Sequence, residues 1–136
     1  AVNLTGTFAV NRHAIPHLLK NQRSYIVNTS SIAVDQPHPW MSAYAATKGA
    51  IRSFTRSIFI EYFQQGLHAN CVMPGSVKSD LADTFAVPTG ANAELVKTLI
   101  PLGTSKLVSP DHVAGVIALL ACDEAMHING TEIVVD

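Results

Sequence analysis

Three short runs of strand-forming residues constrain this fold more than anything else in the chain. They are Tyr25-Ile26-Val27, Leu67 to Met73 and Thr131 to Val135, each followed or preceded by turn-type residues. Each run is parted from the next by a stretch long enough to hold a helix. Strands joined that way cannot be hairpins and call for parallel pairing through right-handed crossovers. The expected class is α/β, with helices covering a parallel sheet.

The intervening segments carry helical signals. Residues from about Val2 to Leu19 read as one helix, with Val2, Phe8, Ala9, Ile15, Leu18 and Leu19 available for burial and Pro16 as a kink or weak turn. A second helix is expected from Ser42, as its cap, to Gln65, with Gly66 stopping it. Its apolar positions are Ala46, Ala50, Phe54, Ile58 and Phe63. Ser109-Pro110 pairs a capping residue with a first-turn proline and opens a helix to about Ala121. Between Gly75 and Leu107 the periodicity fades, and Pro88, Gly90, Pro101 and Gly103 break the pattern. That stretch reads as an excursion over about residues 75–107 with one or two short helices, of the kind that often serves as a lid.

Composition narrows the function. The 136 residues are 48% hydrophobic and 14% charged, enough apolar material for one core and too few charges for a disordered chain. A net charge of −1 gives no reason to expect nucleic acid or a membrane surface as partner. Cys71 and Cys122 form neither a metal pair nor a disulfide framework, and no apolar run is long enough to span a bilayer. A soluble, cytoplasmic protein is expected. The chain lacks an initiator methionine and begins inside a helical pattern, so its termini read as cut. His13 and His17 stand one helical turn apart, but with no third ligand in view no metal is assigned.

Chemistry is concentrated in SAYAATKGAIRSF, Ser42 to Phe54. Tyr44 and Lys48 are four residues apart, which puts them on one helix face. A tyrosine has a pKa of about 10 in isolation, and a cation within reach favours its phenolate. Such a pair can exchange a proton with a carbonyl or hydroxyl near neutral pH. By itself the pair could equally be an exposed helix face. Upstream, the run Tyr25-Ile26-Val27 ends in Asn28, Thr29, Ser30 and Ser31, hydroxyls at the carboxyl end of a strand. Turn chemistry explains them, and ligands in parallel sheets bind there too.

Five segments in order resemble the short-chain dehydrogenase/reductase family: VNLTG at Val2 to Gly6, NTSS at Asn28 to Ser31, YAATK at Tyr44 to Lys48, PGSVKS at Pro74 to Ser79, and INGTEIVVD at Ile128 to Asp136. Ser31 stands thirteen residues before Tyr44, as the family pattern requires. Two departures are serine in PGSVKS where threonine is commoner and Asn129 where threonine is usual. The resemblance implies a Rossmann-like doubly wound sheet and hydride transfer between NAD or NADP and a small-molecule carbonyl/alcohol pair. It assigns Tyr44 as proton donor and acceptor, Lys48 as its electrostatic partner and ribose ligand, Ser31 as the group holding the substrate oxygen, and Asn3 as the holder of a relay water. Pro74, Gly75, Val77 and Ser79 would line the nicotinamide side together with Tyr44 and Lys48. Ser30 is the fallback for Ser31, and Gln36, His38 and Trp40 could border the substrate pocket.

No glycine-rich G-x-x-x-G-x-G or G-x-G-x-x-G occurs in the 136 residues. The resemblance therefore makes residues 1–136 a partial NAD(P)-binding domain, its C-terminal portion, inactive and a poor cofactor binder alone, with an exposed sheet edge at Tyr25 to Val27. It also implies a homodimer or homotetramer packed through the helices matching Val2–Leu19 and Ser42–Gln65. Two rivals stand beside the oxidoreductase. A nucleotide-sugar epimerase or dehydratase also uses a Tyr-x-x-x-Lys pair, but fits Pro74 to Ser79 less well. A non-catalytic cofactor sensor or scaffold on the same fold would have no need of Ser31, Tyr44 and Lys48 together.

Overall fold

The computed structural model describes residues 2–36, 38–80, 84, 86–99 and 107–136. Strands β1 (Ser24–Thr29), β2 (Leu67–Pro74) and β3 (Glu132–Val135) form one sheet in that order. Both pairings are parallel: Ser24 lies opposite Leu67 through to Thr29 opposite Val72, and Cys71 opposite Glu132 through to Pro74 opposite Val135. The α/β class and the parallel sheet are as expected. The central strand β2 is buried along nearly its whole length, which is why LHANCVM is a continuous run with no polar-out alternation.

Among the described residues four α-helices accompany the sheet: α1 (Thr7–Leu18), α2 (Ser42–Tyr62), α3 (Ala93–Lys97) and α4 (Pro110–Leu120). On one face, Ile15, Ile26, Ile58, Leu67 and Ala69 form a core joined by Leu18, Leu19, Phe54, Phe59 and Tyr62. On the other, Val72, Leu120 and Ala125 pack with Val27, Val116, Ile117, Ile128 and Ile133. Ile26 and Val27 point to opposite faces, so adjacent residues of one strand anchor the two layers. The sheet is thus covered on both sides. Beyond β1 the described residues place no further strand.

Two helix faces differ from expectation. The first helix opens with a π-helical turn over Val2–Gly6, wider than an α turn, so one 3.6-residue period does not run from Val2 to Leu19. Val2 and Phe8 consequently face solvent, at 87% and 46% exposure, and the buried stripe of α1 is Asn11 and Ile15. Pro16 sits in the last turn of α1, which ends at Leu18. On α2 the buried stripe is Ile51, Thr55 and Ile58, while Ala46 and Phe63 are exposed. Phe63 belongs to a separate 3₁₀ turn, Phe63–Gln65, whose tighter winding turns it off the α2 stripe.

Thr55 and Asn11 are buried because they have partners. Asn11 Nδ2 donates to Asn28 Oδ1 at 3.1 Å, and Asn28 Nδ2 donates to Thr55 Oγ1 at 2.9 Å. The chain of bonds joins α1, β1 and α2, and it satisfies groups that would otherwise be costly to bury.

Helix ends follow ordinary rules with one exception. Gly66 stops the second helix with φ of 83°, and a side chain there would collide with the Gln22 carbonyl. Ser109 Oγ accepts from the Asp111 N–H at 3.3 Å, the expected cap of α4. Ser42 is not a cap. The cap position is one residue earlier, at Met41, whose carbonyl accepts from the Ala45 N–H at 2.8 Å, so Ser42 is already the first helical residue. Within the excursion, α3 is capped by Asn92, and residues 81–83, 85 and 100–106 lie outside the described residues. The two ends of the excursion are zipped together: Val77 and Val108 form a parallel bridge, Lys78 N–H donates to Val108 O at 3.0 Å, and Val108 N–H donates to Ser76 O at 2.8 Å.

Candidate active site

The carboxyl ends of β1 and β2 and the first turns of α2 meet at one end of the sheet, and the polar residues singled out in the sequence gather there. The end of β1 and the start of α2 are stitched twice. Ser30 Oγ donates to the backbone carbonyl of Lys48 at 2.9 Å, and Lys48 Nζ donates to the backbone carbonyl of Thr29 at 3.0 Å. Ser30 N–H in turn donates to Val72 O at 2.8 Å, tying the junction to β2. Ser30, only 2% exposed, is therefore committed to holding the frame.

Helical spacing brings Lys48 under Tyr44, with Nζ 5.7 Å from the centre of the phenol ring. Burial pushes the Lys48 ammonium below the ordinary lysine value, and the neighbouring Cys71 opposes that shift. Burial likewise pushes the Cys71 thiol up. A half-buried cation here holds positive charge beside the phenol in a setting that screens it less than water does.

Ser31 opens a 3₁₀ turn, Ile32–Val34, and its Oγ accepts from the Ala33 N–H at 3.2 Å. That bond uses an oxygen lone pair and leaves the hydroxyl proton to be donated. Among the described residues, Ser31 is the one of the two adjacent serines whose proton has no acceptor.

Asn3 reaches the site indirectly. Its Nδ2 donates to Thr47 Oγ1 at 3.1 Å, and Thr47 Oγ1 donates back to the Tyr44 carbonyl at 2.8 Å. The π-helical turn is thereby fixed to α2 between Tyr44 and Lys48, and Asn3 keeps its side-chain oxygen as an acceptor. Thr47 is a residue the sequence reading missed. Its position three residues after Tyr44, where a helical hydroxyl bonds back to the preceding turn, is the signal that could have found it.

Pro74 ends β2, and the loop that follows leaves from the same end of the sheet. Gly75 N–H donates to Val135 O at 2.9 Å. The Asp136 carboxylate lies directly against Gly75, so the close approach that requires glycine here is made by the chain's own side chain. Val77 is held by the bridge to Val108, and Ser79 Oγ donates to the Val77 carbonyl at 3.5 Å in an exposed position. This loop adjoins the Ser30–Lys48 junction through the pairing of β2 with β1.

The loop between Ser31 and Tyr44 carries one unusual backbone. Trp40 has φ of 63°, a left-handed conformation costly for a bulky residue, and is 42% exposed. His38 Nδ1 lies 2.6 Å from the Gln36 carbonyl. Elsewhere, His13 Nδ1 lies 2.7 Å from the Ala9 carbonyl of its own helix. Among the described residues no three metal-ligating side chains converge, and no helix is long and apolar enough to cross a membrane.

Comparison with known proteins completes the picture. The family model described as "Enoyl-(Acyl carrier protein) reductase" matches residues 1–136. A curated relative, 3beta-hydroxysteroid dehydrogenase 1 of Eggerthella lenta, is 36% identical over 99% of this chain and 51% of its own length. Among solved structures, 3-ketoacyl-(acyl-carrier-protein) reductase from Brucella melitensis complexed with NADH aligns with a TM-score of 0.84 at 29% identity, over 99% of this chain and 53% of that one. Gluconate 5-dehydrogenase from Burkholderia cenocepacia, in complex with NADP and tartrate, aligns with a TM-score of 0.83 at 28% identity, over 99% and 52%. The chain spans about half the length of the curated relatives it matches.

Proposed function

The chain belongs to the short-chain dehydrogenase/reductase family, and we propose that it carries the catalytic half of an oxidoreductase acting on a carbonyl/alcohol pair with NAD or NADP. The observation that carries this reading is the double stitch between Ser30, Thr29 and Lys48, which holds an ammonium beside Tyr44 at the open end of the sheet.

The residues suit the nicotinamide-ribose portion of such a cofactor. Lys48 spends one ammonium proton on Thr29 and has further donors for ribose hydroxyls. Tyr44 stands beside it, and Pro74, Gly75, Val77 and Ser79 would form the facing wall. The pyrophosphate portion calls for a glycine-rich turn that these 136 residues do not contain. Residues 1–136 are accordingly assigned as one partial Rossmann-like unit, inactive alone, with the excursion of about 75–107 shaping the substrate side.

When bound, the nicotinamide ring gives or takes the hydride. The protein's own part is the proton. In reduction Tyr44 Oη gives its proton to the carbonyl oxygen, and the nearby ammonium stabilises the charge left on the phenol. Ser31 donates its remaining hydroxyl proton to the same substrate oxygen, favouring the alkoxide-like transition state. Asn3 would hold, through its free side-chain oxygen, a water by which the proton is replaced. In oxidation the same groups run in reverse.

The relatives act on a steroid, an acyl-carrier-bound ketone and gluconate by their names, so the shared element is a carbonyl/alcohol carbon. A homo-oligomer is part of the proposal, since Val10 of α1 and Ile60 of α2 present exposed apolar side chains. So is a cytoplasmic location, where Cys71 and Cys122 would remain the thiols they are.

The test uses the full-length protein carrying this chain. Nicotinamide absorbance is followed against a panel of ketones, aldehydes and alcohols, for the parent and for Tyr44→Phe. Turnover lost in the variant with cofactor binding retained supports the proposal. Full turnover in the variant would refute it.

A further inference from the structure

Ser31 and Tyr44 would act on one oxygen from different elements, and the bond from Lys48 to the Thr29 carbonyl fixes the end of β1 against α2 without reaching the Ser31 turn beyond it. We propose that Arg52 is a positioning residue for this site, bracing the Ser31 turn against α2 and against the closing strand. The inference rests on the oxidoreductase reading and adds to it a residue that does not touch the reacting atoms.

Arg52 lies four residues after Lys48, one turn further along the same side of α2. One end of its guanidinium donates from Nη1 to Asp35 Oδ1 at 2.6 Å. Asp35 closes the turn that Ser31 opens, its N–H donating to Ile32 O at 3.0 Å. Arg52 Nε faces Glu132 Oε1, on the first residue of β3, at 3.3 Å. A single planar cation thus touches the Ser31 turn, α2 and β3, a fork geometry that arginine supports and lysine does not.

The surroundings make the contact firmer than a surface pair. The Arg52 side chain is 26% exposed and Glu132 18%. Val34, the last residue of the Ser31 turn, lies over Gly49 of α2, where an added Cβ would come into ordinary contact with Val34 Cγ1. Glu132 Oε1 is buried with no hydrogen bond, and its charge is met by Arg52 and, at 3.7 Å, by Arg56 Nε. Asp35 is the exposed end of the network, at 56%. The turn is therefore pressed on α2 by packing and held in register by charge.

Asp35→Asn is the informative variant, because it loosens the brace and leaves the buried Arg52–Glu132 contact in place. In the full-length protein it is expected to lower kcat about ten- to a hundredfold, the scale of a small misplacement of a reacting group, with KM for the cofactor little changed. Arg52→Gln should lower kcat similarly, Arg52→Lys should recover little, and Asp35→Asn added to Arg52→Gln should cost nothing more. Amide exchange of Ala33, whose N–H is held by Ser31 Oγ, should quicken in both single variants. That readout needs no activity. Unchanged Ala33 exchange, or kcat within twofold of the parent in both variants, would overturn the proposal. Tyr44→Phe retaining full turnover would instead refute the oxidoreductase reading, and the exchange measurement would then decide whether the brace exists.

Discussion

The two ends of the sheet are built from similar residues to opposite effect. At the amino end Tyr25 donates to Asp123 Oδ1 at 2.6 Å, and Arg23 pairs with the same carboxylate at 3.1 Å. The His68 ring stacks on Tyr25 with centroids 5.1 Å apart, and its Nδ1 lies 2.9 Å from Asn129 Oδ1. Desolvation and the Asp123 carboxylate raise the Tyr25 phenol, while the bonds from Tyr25 and Arg23 lower Asp123. At the carboxyl end Tyr44 has an ammonium for a neighbour instead of a carboxylate. A tyrosine beside a carboxylate is held to its proton. One beside an ammonium has a partner for the charge it leaves when the proton goes. The sign of the adjacent charge, and whether hydrogen bonds are already spent, is what distinguishes the surroundings of Tyr25 from those of Tyr44, the tyrosine proposed to work.

The sharpest way to break this contrast is to remove each hydroxyl in turn. Tyr44→Phe should lower kcat by about 10²–10⁴-fold, the range for a lost general acid. Tyr25→Phe should leave kcat/KM within about twofold, as for other exposed pairs. Equal losses in the two variants would erase the distinction. The adjacent serines give the next largest effect. Ser31→Ala should lower kcat by about 10²–10³-fold, as for other groups stabilising a developing oxyanion, with the melting temperature nearly unmoved. Ser30→Ala should instead destabilise the fold by about 1 kcal/mol through the lost bond to the Lys48 carbonyl. Reversed outcomes would mean that the fallback serine is the working one.

The smallest effect is a dependence of stability on pH. The folded value of Lys48 is lowered by burial, so on raising pH the folded chain releases this proton before the unfolded chain does. Between the depressed value and the ordinary 10.5 the unfolded state binds more protons, and stability rises with pH. Denaturant midpoints measured across that window should climb less steeply in Lys48→Met than in the parent. An identical slope would show that the ammonium carries no desolvation cost in the fold.

The order of elements was legible because strand runs and helix stops are local signals: Gly66 and Ser109 act on neighbours a few residues away. Tyr44, Lys48 and Ser31 could be singled out for similar reasons, since their spacings are short and their chemistry is particular to their types. What escaped depends on partners far away in the chain. Thr55 and Asn11 do not look like core residues, and their burial is satisfied by bonds to their own helices together with the long-range bonds through Asn28. The π-helical turn at Val2–Gly6 rotates α1 in a way hydrophobic spacing does not announce. Thr47 and Arg52 likewise gain their meaning from Asn3, Asp35 and Glu132, residues brought close only by packing.

The bridge between Val77 and Val108 has a consequence for how such a protein can diversify. It joins the chain on either side of the excursion by two backbone hydrogen bonds, independent of side-chain identity. The separation of the two stems is therefore set by the frame, whatever sequence runs between them. Lengthening a closed loop costs little, about 0.6 kcal/mol for each doubling. Segments of different length and composition can be exchanged there while Tyr44, Lys48 and Ser31 stay on elements outside the loop, so under the proposed function substrate preference could be rewritten without moving the groups proposed to transfer the proton.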